Sequence, residues 1–322
     1  MRENLIDLVH NSTLKTVNGK VATYIPALAE ADGQQFSVCL TDINQSYEYG
    51  DTETTFTLQS VVKVISFMLA ADHHGLTMMM DFVDVEPTGD SFNSIVRLES
   101  ANTKPFNPMI NAGAITVASL LPGETPTEKV EVVTSFLEKL LQKEITINQK
   151  IYQSEYDSAD HNRAIAYILK ANGYLEAGVE NAIQTYLQLC SIEVTVGDLA
   201  EIALFFAQDG QNERICIDGA ILKVSKALML TCGMYNSSGK FAAFVGLPAK
   251  SGVSGAIIAV VKSGMIEDLK GPIGIGLYGP AIDTVGNSVA GVDFLMEIVK
   301  KDNLSVFLRQ HKIIVGRLVV IF

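Results

Sequence analysis

Apolar and polar positions fall into three successive patterns along the chain. In the first fifty residues, 2–10 are amphipathic, 20–30 form a second helical stretch interrupted by Pro26, and 36–41 alternate with the period of a strand. Asp42-Ile43-Asn44-Gln45 supplies a turn and 46–49 return, so this part predicts helix, helix, hairpin. From 56 to about 230 the spacing becomes helical, with segments at 112–121, 127–142, 162–171, 180–189, 196–208 and 219–231. Thr125-Pro126-Thr127-Glu128 and Thr195-Val196-Gly197-Asp198 are helix-start patterns, and the Asp209-Gly210 pair ends a helix. After 238 the chain reverts to strands at 240–245, 252–261 and 273–278, and a helix at 292–300 closes it.

Strands at both ends with helices between them predict one α/β domain whose sheet is completed after a helical insertion. Residues 1–55 and 230–307 then form a discontinuous sheet subdomain, and 56–229 a helical subdomain. The last fifteen residues, LRQHKIIVGRLVVIF at 308–322, are basic and apolar and too short to span a membrane. A docked strand, an association element and a disordered tail all remain open for them.

One segment departs from ordinary amphipathic spacing. FTLQSVVKVISFMLAA at 56–71 begins with a short β-prone lead and then turns apolar on nearly every side, as a helix inside a core does. Ser60 and Lys63 stand three apart near its start, on one helical face. A hydroxyl at the mouth of a buried helix with an amine one turn along suits a serine nucleophile and a lysine base. The helix N-terminus and apolar burial both disfavour a protonated lysine, and a neutral amine can accept the serine proton. The alternative is that Ser60 caps the helix while Lys63 reaches to water. The spacing alone does not choose, since Ser12/Lys15 and Ser237/Lys240 share it.

A second chemical element is Lys250-Ser251-Gly252, opening an apolar strand in GLPAKSGVSGAI, where glycine lets backbone N–H groups approach an oxyanion. The same triplet recurs at Lys262-Ser263-Gly264, so it does not decide by itself.

Composition narrows the function classes. The 322 residues are 48% hydrophobic and 19% charged, enough for a sizeable core, and the formal net charge of -12 argues against a nucleic-acid binder. Cys39, Cys190, Cys216 and Cys232 are scattered without a C-x-x-C pair, and the five histidines show no metal-ligand spacing; adjacent His73 and His74 read as a solvated helix end. The acidic N-terminal lead is not that of a signal peptide, and no apolar run reaches membrane-span length. A cytoplasmic enzyme without metal or organic cofactor is the resulting expectation.

Ser-x-x-Lys on a core helix followed by Lys-Ser-Gly on a strand resembles the serine β-lactamases and penicillin-binding proteins. The surrounding words resemble a narrower family, the bacterial glutaminases of serine-dependent, β-lactamase-like type. They are GKVATYIPALA (19–29), FTLQSVVK (56–63), KPFNPMINAGAI (104–115), YQSEYDSADHNRAIAY (152–167), TVGDLAEIALFFAQDG (195–210), MLTCGMYNSSGKFA (229–242) and GLPAKSGVSGAI (246–257). The likeness runs in order from about residue 5 to 307, with Val62, Ser254 and Ala256 as local departures.

The resemblance implies an antiparallel sheet flanked by helices with an inserted helical subdomain. It also implies hydrolysis of L-glutamine to L-glutamate and ammonia through a γ-glutamyl ester. On it, Ser60 is the nucleophile, Lys63 its base, and Tyr235 a candidate proton relay. Asn111, Glu155, Asn162, Tyr186, Tyr235, Val253 and Tyr24 are implied substrate positions, and the N–H groups of Ser60 and Val253 the oxyanion hole. Glutamine's ammonium wants a carboxylate such as Glu155, and its carboxylate wants amide or phenol donors. A homodimer or homotetramer is likewise implied, with no nucleic-acid or membrane partner. Two rivals stand beside it. One is a penicillin-interactive acyltransferase, for which Ser91-Phe92-Asn93 and Ser100-Ala101-Asn102 have the required Ser-x-Asn spacing; the other is a non-catalytic amino-acid sensor.

Overall fold

Runs of small and apolar residues at 37–41, 256–261 and 273–278 form strands that are buried at every position, with both faces covered. The computed structural model describes residues 4–99, 103–308, 312–315 and 318–321. Its strands are β1 (Ser37–Thr41), β2 (Ser46–Tyr49), β3 (Phe56–Thr57), β4 (Glu193–Val194), β5 (Ala249–Ser251), β6 (Ala256–Val261), β7 (Met265–Ile266), β8 (Leu269–Lys270), β9 (Ile273–Tyr278), β10 (Lys312–Val315) and β11 (Leu318–Ile321). The helices are α1 (Leu5–Thr13), α2 (Val62–His74), α3 (Leu76–Phe82), α4 (Asn111–Leu120), α5 (Pro126–Leu141), α6 (Gln149–Asp157), α7 (Asp160–Ala171), α8 (Val179–Cys190), α9 (Val196–Ala207), α10 (Gly219–Cys232), α11 (Ser238–Phe244) and α12 (Val289–Asp302).

The central sheet has the order β2-β1-β9-β6-β5, every pair antiparallel. Val38, Leu40, Ile257, Ala259, Ile275 and Leu277 face a core with α1 and α12, through Leu5, Leu8, Phe294 and Leu295. Cys39, Ala256, Ile258, Val260 and Tyr278 face the opposite way, into the helical layer. On that face β9 presents Gly274 and Gly276, and α9 lies directly on them. A Cβ at Gly274 would stand 2.0 Å from the Ala200 carbonyl oxygen, and one at Gly276 2.3 Å from that of Val196. The two glycines set how closely α9 approaches the sheet. β10 and β11 pair as a separate antiparallel hairpin, and β3 pairs with β4 beside the start of α2.

Most of the expected helices form, with both Thr125 and Thr195 closing capping boxes. Several expectations are corrected. Residues 20–30 do not form a helix: Lys20 bridges to Ile282, Ile25 is extended as a residue before proline must be, and only Pro26–Glu30 winds into a short 3-10 helix. Residues 240–245 are the end of α11 rather than a strand, because Phe241 and Val245 are the buried pair, four apart, and Gly246 at φ +69° stops the turn. The strand expected at 252–261 starts only at Ala256, since 252–255 form a turn closed by Gly252 N–H to Ala256 O and Gly255 N–H to Gly252 O. Sequence patterning missed α3 and α6, both short. Ser100-Ala101-Asn102 lies outside the described residues. No described helix is long and apolar enough to cross a membrane.

Replacing Gly276 by Ala is expected to force α9 off the sheet and destabilise the protein by about 2 kcal/mol or more, as overpacking does. Urea denaturation of the variant beside the parent measures it.

Candidate active site

A backbone kink precedes helix α2. Leu58 N–H is held by Ile192 O at 2.9 Å, and Gln59 then takes φ +47°, a left-handed conformation costly for a side chain with a Cβ. A 3-10 turn over Gln59–Val61 follows and runs directly into α2. Ser60 therefore sits at a strained corner, and it opens onto a cavity of about 230 Å³. Burial separates the three Ser-x-x-Lys pairs: Lys15 and Lys240 are exposed, whereas Lys63 is 2% exposed. Likewise Lys262 is a surface partner of Asp209, while Lys250 is wholly buried.

Lys63 Nζ donates to Asn111 Oδ1 at 2.8 Å and Met109 O at 3.2 Å. Burial draws its pKa down to about 8, opposed by the Cys190 and Glu155 side chains. A neutral amine has two hydrogens and one lone pair. With both hydrogens directed to carbonyl oxygens, the lone pair is left to accept a proton.

Asn111 starts α4 and ties the polar floor together. Its Oδ1 also accepts from Tyr186 Oη at 3.3 Å, and its Nδ2 donates to Asn162 Oδ1 at 3.0 Å. That leaves the Asn162 amide hydrogens uncommitted. Tyr186 and Cys190, one turn apart on α8, interact through their side chains, and burial holds the phenol proton well above its usual pKa. The Cys190 thiol is pushed up as well, by burial and by Glu155.

Glu155 lies on α6 and is 7% exposed, although a lone glutamate in a polar stretch is ordinarily solvated. It accepts a short hydrogen bond from Gln59 Nε2. Burial raises its pKa to about 7, with Gln59 and Lys63 pulling the other way. Burial thus shifts the two groups in opposite directions within one seam, the Glu155 carboxyl up and the Lys63 amine down.

Tyr24, Ser60, Asn111, Glu155, Asn162, Tyr186 and Val253 all line the cavity, Tyr24 at its rim with 57% exposure. Lys63 lies behind the lining. Tyr235 lines an adjoining cavity of about 310 Å³ that shares Phe92 with the first. It too is strained, at φ +51°, and its ring packs against Phe92 at 5.2 Å and beneath Lys250 Nζ at 4.7 Å. Its buried hydroxyl makes no hydrogen bond of regular geometry, though Ser60 is near enough to offset part of the rise that burial imposes on its pKa. Lys250 donates to Gly233 O and Ser251 O, and burial together with Lys63 drives its pKa well down.

Gly252 packs against the Ser60 corner, where a Cβ would meet Leu58 O at 2.6 Å and Ser60 N at 3.4 Å. Val253 follows it, and Ser254 donates to Thr57 O at 2.7 Å. Among the described residues, neither the Ser60 nor the Val253 amide is spent on a turn, loop or cap hydrogen bond. No described group of three or more His, Cys, Asp or Glu side chains is placed to hold a metal ion. His73 is exposed and His74 meets Leu120 O at 2.7 Å, far along α2 from Ser60.

Sequence reasoning missed Gln59, Phe92, Asn93, His161 and Cys190 as cavity residues. Adjacency to Ser60 and Asn162 could have marked Gln59 and His161, whereas nothing local marks Phe92.

An antiparallel sheet flanked by helices, with a buried Ser-x-x-Lys corner at their seam, is the architecture of the β-lactamase-like serine hydrolases. Within that class the chain belongs to the glutaminase family, whose model matches residues 19–307. It is 50% identical to glutaminase 2 of Bacillus anthracis over 297 residues, 90% of this chain and 91% of the relative. It is 48% identical to glutaminase 1 of Bacillus subtilis over 298 residues, again 90% and 91%. The crystal structure of a probable glutaminase of Bacillus subtilis superposes with a TM-score of 0.87 at 45% identity, covering 94% of this chain and 96% of that one. A Bacillus subtilis glutaminase in covalent complex with 5-oxo-L-norleucine, formed from 6-diazo-5-oxo-L-norleucine, superposes with a TM-score of 0.83 at 43% identity, covering 94% and 98%. The chain is thus an enzyme that hydrolyses glutamine.

The thiol environments predict an order of labelling. In native protein an alkylating reagent should modify exposed Cys216 first and leave Cys190 unmodified until denaturant is added, as mass spectrometry of timed samples will read.

Proposed function

We propose that L-glutamine is hydrolysed through a γ-glutamyl ester on Ser60, with Lys63 as general base. The buried Lys63 amine carries this reading, because both of its donated hydrogens are already placed on Met109 O and Asn111 Oδ1. Lys63 takes the Ser60 proton as Oγ bonds to the γ-carboxamide carbon. The N–H groups of Ser60 and Val253 stabilise the resulting oxyanion. Its collapse breaks the C–N bond, and the proton passes from Lys63, through Tyr235 where the phenol relays it, to the departing nitrogen as ammonia. Water then attacks the ester, Lys63 accepts its proton and returns it to Ser60, and glutamate leaves.

Substrate fit follows from charge. Glu155, once ionised, pairs with the α-ammonium, and the free Asn162 amide hydrogens, with Tyr186 and Tyr24 nearby, suit the α-carboxylate. Tyr235 closes the leaving-group side. The nucleophile corner would then lie at the junction of a sheet subdomain, 1–55 with 230–307, and a helical subdomain, 56–229. A homodimer or homotetramer in the cytoplasm accords with the family resemblance.

Ammonia release from L-glutamine by the purified protein is the direct test, with L-asparagine and a chromogenic β-lactam as controls. Ser60→Ala is expected to lose about 10⁴-fold or more in kcat, as removal of a serine nucleophile does. Release that persists in the variant would overturn the assignment of Ser60, and acylation by the β-lactam without glutamine turnover would favour the penicillin-interactive class.

The pH profile follows from the same groups. Activity needs Lys63 neutral and Glu155 ionised, so both requirements are met as pH rises through about 7 to 8 and lost as it falls. The profile of kcat/KM should show an acid limb carrying both groups. In kcat the bound ammonium already holds Glu155 ionised, so the limb near pH 8 belonging to Lys63 should dominate. Initial rates from about pH 5.5 to about pH 9.5 check both.

A further inference from the structure

Among the described residues, Gln59 is the cavity residue that both hydrogen-bonds Glu155, the expected ammonium partner, and adjoins Ser60 in the chain. Its backbone is left-handed and directly precedes Ser60. Its side chain is buried, and Nε2 directs one hydrogen to Glu155 Oε1 and the other to Thr57 Oγ1 at 3.3 Å. Thr57 is itself anchored, its carbonyl accepting from Ser254 and its strand pairing with Glu193 on β4. On the opposite side Gly252 packs against Leu58 O and the Gln59 Cβ. The corner is therefore clamped from the β5–β6 turn on one side and from α6 on the other, and the α6 clamp is the Gln59–Glu155 bond.

We propose that Gln59 is a positioning residue that couples occupation of the α-ammonium site on Glu155 to the presentation of Ser60. The inference rests on glutamine hydrolysis through Ser60. A carboxylate held ionised by a bound ammonium is a stronger acceptor than a protonated carboxyl, so it grips the Gln59 amide harder. That grip holds the left-handed turn, which has no glycine to make it free of cost. Without that ammonium Glu155, whose burial raises its pKa, takes up a proton more readily, and the protonated carboxyl is the weaker acceptor in the Gln59 bond. Binding of the α-amino group thereby appears in the rate of acylation as well as in affinity, and by linkage the fixed corner favours ammonium binding. Selectivity for a free α-amino acid becomes a property of kcat.

The test compares the parent enzyme with Gln59→Met, which keeps the bulk and loses the bond, Gln59→Gly, which permits φ +47° without a side chain, and Gln59→Ala, which loses the bond and keeps the backbone cost. Each is assayed with L-glutamine and with glutaramate, the same amide lacking the α-amino group, and thermal unfolding confirms that the variants are folded. On glutamine, Gln59→Met is expected to lose about 10- to 100-fold in kcat with KM within about twofold, the size of one charge-assisted hydrogen bond. On glutaramate its kcat/KM should change little, so the preference for glutamine contracts. Gln59→Gly should retain more kcat than a folded Gln59→Ala, since only the backbone cost is relieved. Equal losses on both substrates, or a loss wholly in KM, would overturn the coupling. If the parent does not turn over glutaramate, the split between kcat and KM on glutamine decides alone. Failure of the parent on glutamine would instead reject hydrolysis through Ser60, a separate outcome.

Discussion

Burying an amine is the constraint around which the helical layer is arranged. Lys63 is almost without solvent, and an ammonium so placed is costly unless it is paired or gives up its proton. The structure meets this with two carbonyl oxygens, from Met109 and Asn111, and with a depressed pKa. Each solution recruits another element. Asn111 begins α4, its amide reaches Asn162 on α7, and its oxygen takes Tyr186 from α8. Four helices are thus fastened through polar groups around one lysine on α2. A buried network of this kind specifies its arrangement strongly, because any unsatisfied member is expensive.

The sheet supplies the second wall. Gly274 and Gly276 let α9 lie against β9, and the residues after α9 and α10 return the chain to the sheet at β5. There Lys250 is buried next to Tyr235, and Gly252 brings the following amides against the Ser60 corner. Two residues with side chains, Gln59 and Tyr235, adopt left-handed backbone at this junction. Such strain persists only where the surroundings over-determine it, and here the surroundings are the packed helix on one side and the sheet turn on the other.

What could be read locally was read well where one physical signal dominated. The all-round apolar run after Ser60 announced a buried helix because no surface helix tolerates such a pattern. The capping boxes at Thr125 and Thr195 and the alternating strand at Ser37–Thr41 are also signals complete within a few residues. Mistakes came where two periods compete over a short span. Phe241 and Val245 fit a strand run by composition, but only the core decides that they point the same way, four apart. Helix α6 was missed for the same reason: its residues are mostly polar, and Glu155 is its one buried side chain.

The sequence by itself determined the order of sheet and helix, the buried helix carrying Ser60 and Lys63, and, through the likeness of whole segments, the family. Burial propensity, turn chemistry and residue order are properties of neighbours in the chain, so they are legible there. Only the tertiary structure decided that Lys63 and Lys250 are buried while Lys15, Lys240 and Lys262 are exposed, that Glu155 is held by Gln59, and that Tyr235 packs against both Lys250 and Phe92. Those facts depend on which distant segments exclude water from one another, and desolvation, which sets the proton affinities of Lys63 and Glu155, has no local signature.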